Sequence, residues 1–571
     1  MVVDGSVTPS ETPMLEDTAL VTRSSAGLLR SVWIGLITSA LILVASLVNP
    51  KACIVVLADD TLFSVRYAHN FLATHRFSWI NGEAPSFGGT SQLHQLLVTG
   101  IQGLFPGAEP YSVVVLSILG GILTVTVLLL LLRRELLRLI DTRSNADRSE
   151  LSAIWPVATL LLVFGLSLIA LNPKFYQQWR WGMETTWSTF LVALFILFLP
   201  GLLVSKRGLL LGLPFLVLIL FWQRPDLGLV GTMPLIVGLV SGRDRTRRQY
   251  LLSSTITTVL LAATLIGWKC YYGIAVPLPS IVKTGLSGYS SANVDRFFAY
   301  GNRLELYLFL RENFIAMIYC VAFFVCWRRF VRKPLAVADI SLCFAAVAYA
   351  LFETFGNKYP VTTGGARFFM PILPILFYFA IRGFGMTLSY RALTSGEDPS
   401  LDIRKERTYR VGCAAIFLVL VIQTPILVKN VLRPIFVDMR DLRFSSVYDA
   451  LLAQIKNGNK WTVMLPELTN PAYDSCSIAD SEIGGIGLLP PSRVVVDMSG
   501  LNNTDVVAHH ESPLHYLLRM KPAYVWYKRI DFYWGLDLEK EPKFDKYYDF
   551  YVDDGIAVRH GTGCPFEPPA R

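Results

Sequence analysis

The chain has 571 residues, 53% of them hydrophobic and only 17% charged, with a mean hydropathy of +0.46; this excludes an ordinary soluble enzyme and points to a polytopic membrane protein. Its net charge of +9 does not mark nucleic-acid binding, because Lys and Arg fall in short runs between apolar segments, where they orient a chain in a bilayer. The eight cysteines lack the CxxC or His/Cys spacing of a metal site, and only Cys476 and Cys564 share a polar region.

Residues 1–22 are polar without a cleavable-signal pattern, so 31–48 is expected to persist as the first span. Directly after it comes the longest early polar segment, opened by Asp59 and Asp60. From Thr61 the apolar positions Leu62, Val65, Ala68 and Leu72 recur at helical spacing, with Arg66 and Asn70 off that line. The pattern predicts a short amphipathic helix in the membrane interface, with Asp60 as its N-cap and Asp59 facing outward. Trp79, Asn81-Gly82 and the Phe87-Gly88-Gly89-Thr90 turn close the segment, the indole being suited to headgroup depth.

Eleven spans are expected, at 31–48, 111–132, 151–172, 184–204, 208–222, 227–240, 251–268, 313–327, 337–352, 368–387 and 411–428. Residues 92–105 are apolar on average but hold Gln92, His94, Gln95 and Gln102, and read as a juxtamembrane helix that does not cross. With that choice the basic runs around Arg133, Lys206, Arg243, Arg328 and Arg404 fall on one side, which places the amino terminus in the cytoplasm of a plasma-membrane protein. The Asp59 loop and the tail from Lys429 then lie outside. That tail has an ordinary soluble composition, with strand-like stretches at 461–465, 494–497, 523–527 and 556–559, and reads as an extracytoplasmic α/β domain of about 140 residues, near the usual domain size. An exported Cys476–Cys564 disulfide is open on this reading.

The outer loops carry further polar groups: Glu184 after Trp181-Gly182-Met183, Arg224-Pro225-Asp226, Tyr271-Tyr272-Gly273 followed by Lys283, and Arg367. Several ionisable residues converging on one leaflet suggest a site, with carboxylates as general base and Arg224, Lys283 and Arg367 as partners for a phosphate. Each also has a structural reading: Asp59-Asp60 as a cap, Glu184 as a helix start, Arg224 and Arg367 as snorkelling cations. Asp480, Asp497 and His509/His510 in the tail read as strand-end, solvated residues.

In this order the motifs resemble the GT-C class of polyprenyl-phosphate-dependent glycosyltransferases, within it the branch of terminal arabinofuranosyltransferases. The matching residues are Asp59-Asp60, Arg66-Tyr67-Ala68, Asn81-Gly82-Glu83, Gly182-Met183-Glu184-Thr185, Arg224-Pro225-Asp226, Tyr272-Gly273, Lys283 and Arg367, and in the tail Asp480 and Val496-Asp497. Ser86 to Ser91 and Ile274-Ala275 depart from the pattern. The resemblance implies an α-helical GT-C-like membrane domain and an inverting transfer at the outer face. The donor is a sugar on a lipid phosphate and the acceptor a cell-envelope glycan or glycoconjugate. Asp59, Asp60 and Glu184 are the implied catalytic carboxylates, and Arg66, Tyr67, Arg224, Asp226, Tyr272, Lys283 and Arg367 the substrate-binding set. Some members use a divalent metal and others none, so the resemblance leaves the cofactor open. The competing class is a transporter or flippase of a lipid-linked sugar, which calls for ionisable or helix-breaking residues near the bilayer midplane.

Overall fold

The computed structural model describes residues between 61 and 564, with breaks at 142–147, 285–300, 329–334, 357–366, 394–409, 422–475 and 482–492, sparse coverage of 171–183, and several breaks of one to three residues. The described residues belong to one compact unit, Asn49–Arg571.

In chain order the helices are α1 (Thr61–Thr74), α2 (Gln92–Leu104), α3 (Glu109–Asp141), α4 (Arg148–Ala170), α5 (Thr185–Val204), α6 (Leu213–Gln223), α7 (Leu227–Ser241), α8 (Asp244–Tyr272), α9 (Leu278–Thr284), α10 (Gly301–Glu312), α11 (Phe314–Cys326), α12 (Val337–Leu351) and α13 (Leu373–Leu393). Among the described residues, five stretches are long and apolar enough to cross a bilayer: Tyr111–Arg138 of α3, Thr185–Val204, Thr246–Tyr272 of α8, Val337–Phe355 and Arg367–Leu388. The bent pair Glu305–Glu312 and Phe314–Cys326, meeting at 74°, makes a sixth if it is one broken span. Val157–Ile169, Gly208–Gln223 and Leu227–Ser241 are apolar but shorter, 31–48 lies outside the described residues, and 411–428 is described only in part.

The outer faces of these helices are apolar, with Val259, Ile266 and Phe344 exposed, as lipid-facing surfaces are. Between α11 and α13 the backbones approach so closely that a Cβ on Gly383 would stand 1.8 Å from the carbonyl oxygen of Tyr319. Only glycine fits that helix crossing, the small-residue packing common in membranes.

The helix α2 has 13 residues, too short to span, as expected of a juxtamembrane helix. Its amphipathicity is inverted: Gln92, His94, Gln95 and Gln102 are buried, whereas Leu104 is 76% exposed. Helix α1 forms where its spacing predicts, but Arg66 and Asn70 do not face water. Both are buried along with Leu62, Val65 and Ala68, while Leu72 is exposed, so inward polar hydrogen bonds act together with the apolar positions in orienting this helix. Trp79 is likewise buried within the protein and donates its indole N–H to the carbonyl of Val495 at 2.8 Å.

Among its described residues the tail holds a five-stranded mixed sheet: β1 (Ile478–Asp480), β2 (Val495–Asp497), β3 (Tyr524–Val525), β4 (Tyr548–Tyr551) and β5 (Ile556–Arg559), in the order β2-β1-β3-β5-β4. β1, β2 and β3 run parallel, and β5 is antiparallel to both β3 and β4. Three of the four expected strands form; 461–465 and the expected boundary at 429 lie outside the described residues, and β1 and β4 were not foreseen. Cys476 and Cys564 are disulfide-bonded with Cα atoms 6.0 Å apart. An apolar cluster joins one sheet face (Ile478, Val495, Tyr524, Ile556) to Tyr67, Trp79, Phe87, Trp268 and Tyr272 of the helical part. Sheet and helices therefore share a core at this end.

Candidate functional site

The short link between α6 and α7 forces a turn, and Arg224 crosses it in extended backbone. Its guanidinium donates Nε to Asp226 Oδ1 at 3.1 Å and Nη2 to Asp226 Oδ2 and, at 3.2 Å, to Glu353 Oε1. Asp226 is fully used: it accepts the Leu227 N–H at the start of α7 and the Tyr349 hydroxyl, both at 3.1 Å. The Arg224 guanidinium also lies 5.5 Å from the Phe368 ring, and that of Arg367 lies 4.8 Å from the same ring. Two buried cations thus lie against one aromatic ring, each within cation–π distance of it. Glu184, at the turn before α5, makes no side-chain cap to its helix, and its charge acts on both Arg224 and His94.

A second group is built on α1 and the turn after it. The Tyr67 hydroxyl contacts Ser86 Oγ at 2.9 Å, donates to Asn502 Oδ1 at 2.8 Å and accepts the Gly88 N–H at 3.1 Å. Asn502 is held by Asp497 Oδ2, which accepts its backbone N–H at 2.6 Å and its side-chain Nδ2 at 3.0 Å. Asp480 and Asp497 do end strands, but both are buried rather than solvated. Phe87 stacks on Tyr272 with centroids 4.3 Å apart, and the Tyr272 hydroxyl donates to Gln92 Oε1 at 2.7 Å. The Leu278 N–H donates to Phe87 O at 2.8 Å, attaching α9 to the same turn.

The expected site residues therefore fall into two groups. Arg224, Asp226, Arg367 and Glu184 make the ionic group; Arg66, Tyr67 and Tyr272 belong to the aromatic and hydroxyl group. The first turn of α2 lies between them, Gln92 bonding Tyr272 and His94 sensing Glu184. Lys283 lies on α9, with its side chain outside the described residues, as are Asp59, Asp60, His509 and His510. Arg66 bonds two backbone carbonyls, Trp79 O at 2.8 Å and Arg493 O at 2.7 Å, a bracing geometry.

Sequence reasoning missed Glu353, Tyr349, His94 and Asn502. The first had a signal, an ionisable residue directly after an apolar run. Buried charge is also not confined to one end of the helices. At the other end of α12, Asp339 pairs with Arg382 and accepts the Tyr378 hydroxyl at 2.8 Å, and Arg382 Nε lies 3.7 Å from Glu135. Among the described residues no three His, Cys, Asp or Glu side chains converge as a metal site.

Apolar helices around buried ion pairs define a helical membrane protein. No protein-family model matches the chain, and no curated protein does. Among solved structures it is similar to ArnT from Cupriavidus metallidurans bound to undecaprenyl phosphate, at 12% identity and a TM-score of 0.44, over 82% of this chain and 91% of that one. The apo state of the same protein matches at 13% identity and a TM-score of 0.42, over 85% and 95%.

Proposed function

We propose that the chain is a GT-C-type inverting glycosyltransferase that moves a sugar from a polyprenyl-phosphate donor to a cell-envelope glycan or glycoconjugate at the outer face of the plasma membrane. The observation that carries this reading is the pair of buried guanidiniums on Phe368, set beside Glu184 where the apolar helices meet the α1 segment. Such a place suits a lipid-borne phosphate ester, with cations at membrane depth and carboxylates within reach. The motifs shared with the terminal arabinofuranosyltransferases make a pentofuranose the first donor to try.

In the proposed reaction Asp59 takes the acceptor hydroxyl proton as that oxygen attacks the anomeric carbon. The bond from that carbon to the phosphate oxygen breaks, and polyprenyl phosphate leaves with the electron pair. Asp60 or Glu184 orients the acceptor or the base. Arg367 and Lys283 meet the charge growing on the phosphate. Arg224, already held by Asp226 and Glu353, presents the site's walls and joins the phosphate only by loosening one of those pairs.

The test is turnover of the purified chain in nanodiscs with a panel of polyprenyl-phosphate sugars, read as lipid phosphate released, for wild type and Asp59→Asn. Turnover with one donor, abolished by Asp59→Asn while donor binding survives, supports the assignment. The second reading, a lipid-linked sugar transporter, is prompted by the Asp339–Arg382 ion pair, buried at the end of α12 away from the candidate site. Movement of labelled lipid across proteoliposomes without turnover of any donor would sink the transferase in its favour.

A further inference from the structure

Three helix ends come together around Glu184: Thr185, the first residue of α5, follows it in the chain, Gln223, the last residue of α6, donates to its carbonyl, and His94, in the first turn of α2, lies within reach of its charge. Helix α6 packs against both α2 and α5. All three side chains are buried, at 2%, 1% and 0% exposure. Each nevertheless has a polar atom that no described residue satisfies: His94 Nδ1, Thr185 Oγ1 and Gln223 Oε1. Buried polar atoms in folded proteins are almost always paired, so three such atoms on adjoining helix ends need a reason.

The chemistry of the three atoms narrows that reason. Gln223 is fixed in orientation, because its Nε2 donates to Glu184 O at 3.1 Å and contacts Ser188 Oγ at 3.3 Å, which leaves Oε1 as a pure acceptor. Thr185 Oγ1 donates or accepts. Burial pushes the His94 imidazole down to about 4, so the ring is neutral, and its Nδ1 donates or accepts by tautomer. A phosphate, which only accepts, would be repelled by Gln223 Oε1 and by the neighbouring Glu184. Hydroxyl groups, which both donate and accept, fit every one of the three.

We propose that His94, Thr185 and Gln223 form the subsite that recognises the ring hydroxyls of the donor's sugar, separate from the cationic residues that take its phosphate. This deepens the transferase reading and rests on it. The subsite sets which sugar is accepted, and the orphan atoms are its hydrogen-bonding code: one acceptor and two adaptable groups.

The test measures affinity of the full-length chain in nanodiscs for farnesyl phosphate and for farnesyl-phosphoryl arabinofuranose, mannose and glucose. Two or three added hydrogen bonds predict that wild type binds one glycosylated lipid about ten-fold more tightly than the bare one. His94→Phe and Thr185→Val, which keep side-chain volume, bring that ratio toward one while farnesyl phosphate affinity stays within about two-fold, and His94→Asn, whose amide reaches the Nδ1 position, restores part of it. A ratio unchanged in both variants overturns the subsite and leaves the transferase standing; if His94→Phe does not fold, Thr185→Val alone decides. Equal wild-type affinity for bare and glycosylated lipids also overturns it. Failure to bind even farnesyl phosphate overturns the transferase reading as well.

Discussion

Arg66 donates its Nη2 to the backbone carbonyl of Arg493, 427 residues further along the chain, at 2.7 Å. Its Nε bonds Trp79 O, its guanidinium lies 5.0 Å from the Trp79 ring, and that indole in turn bonds Val495 O. One side chain thus ties α1, the loop after it and the strand β2 into a single brace. Arg66→Ala would remove the donor to Arg493 O and one of the two donors to Trp79 O, the other being Asn70 Nδ2, and should cost about 1–3 kcal/mol in thermal unfolding. Arg66→Lys should recover less than half of that, because one ammonium cannot reproduce the planar fork. Full stability in Arg66→Ala would show that the brace is incidental.

Gly88 is needed for close approach. A Cβ there would stand 1.8 Å from Asn502 Oδ1 and 2.3 Å from the Tyr67 hydroxyl. Gly88→Ala should therefore destabilise by about 1–3 kcal/mol as an overpacking change. In an Asn502→Ala background the cost should shrink, giving a double-mutant coupling of about 1 kcal/mol. Strict additivity would disprove the contact.

Replacing Arg224 by Met leaves Asp226 and Glu353 buried without their cation. The expected loss is roughly 3–5 kcal/mol, measured by unfolding in detergent. Changing Glu353 to Gln in the Arg224→Met chain removes one of the stranded charges and should recover part of it. A neutral outcome for Arg224→Met would mean that water reaches this cluster freely.

Reduction of the Cys476–Cys564 bond, which closes 88 residues of chain, should lower stability by about 4 kcal/mol. The melting temperature with and without a membrane-permeant reductant reads this directly. No shift would assign the bond a negligible constraint on the unfolded chain.

Asp531, on the helix after β3, is pushed up to about 7 by burial, with Asp537 and Glu539 adding to the shift and the Leu538 N–H opposing it. The folded state therefore binds a proton that the unfolded state releases near pH 4. Stability from this group is full below about pH 4 and is lost as pH rises to about 7. Asp531→Asn should flatten that part of the stability profile and raise stability above pH 7. A profile parallel to wild type between pH 4 and 8 would contradict it.

The sequence carried the helical elements well where apolar periodicity was strong, as in α3, α5 and α8, and it distinguished α2 by its glutamines. It misplaced Arg66, Asn70, Trp79, Asp480 and Asp497, which it set toward water or headgroups. All five are buried: Arg66 and Trp79 bond segments 427 and 416 residues away, which no local pattern encodes, whereas Asn70, Asp480 and Asp497 bond neighbours one to nine residues away in turns whose burial depends on the packed sheet. For the candidate site, Arg224, Asp226, Arg367 and Glu184 were legible as polar interruptions of apolar runs. Glu353 stood one residue past the expected end of its span, so an element boundary hid it. His94 was hidden differently, because an inverted helix reads as merely polar until its neighbours are known. Asp59 and Asp60, on which the proposed chemistry turns, lie outside the described residues and stand on sequence alone.

Helix α12 carries Asp339 in its first turn and continues through a short π turn to Glu353. At 1.5 Å per residue the two carboxylates stand about 21 Å apart along one rod. Each is moored to an arginine on a different part of the bundle, Arg382 at one end and Arg224 at the other. A piston stroke of this rod would uncouple buried charges at both ends at once. The two ion pairs therefore pin this rod against sliding along its own axis.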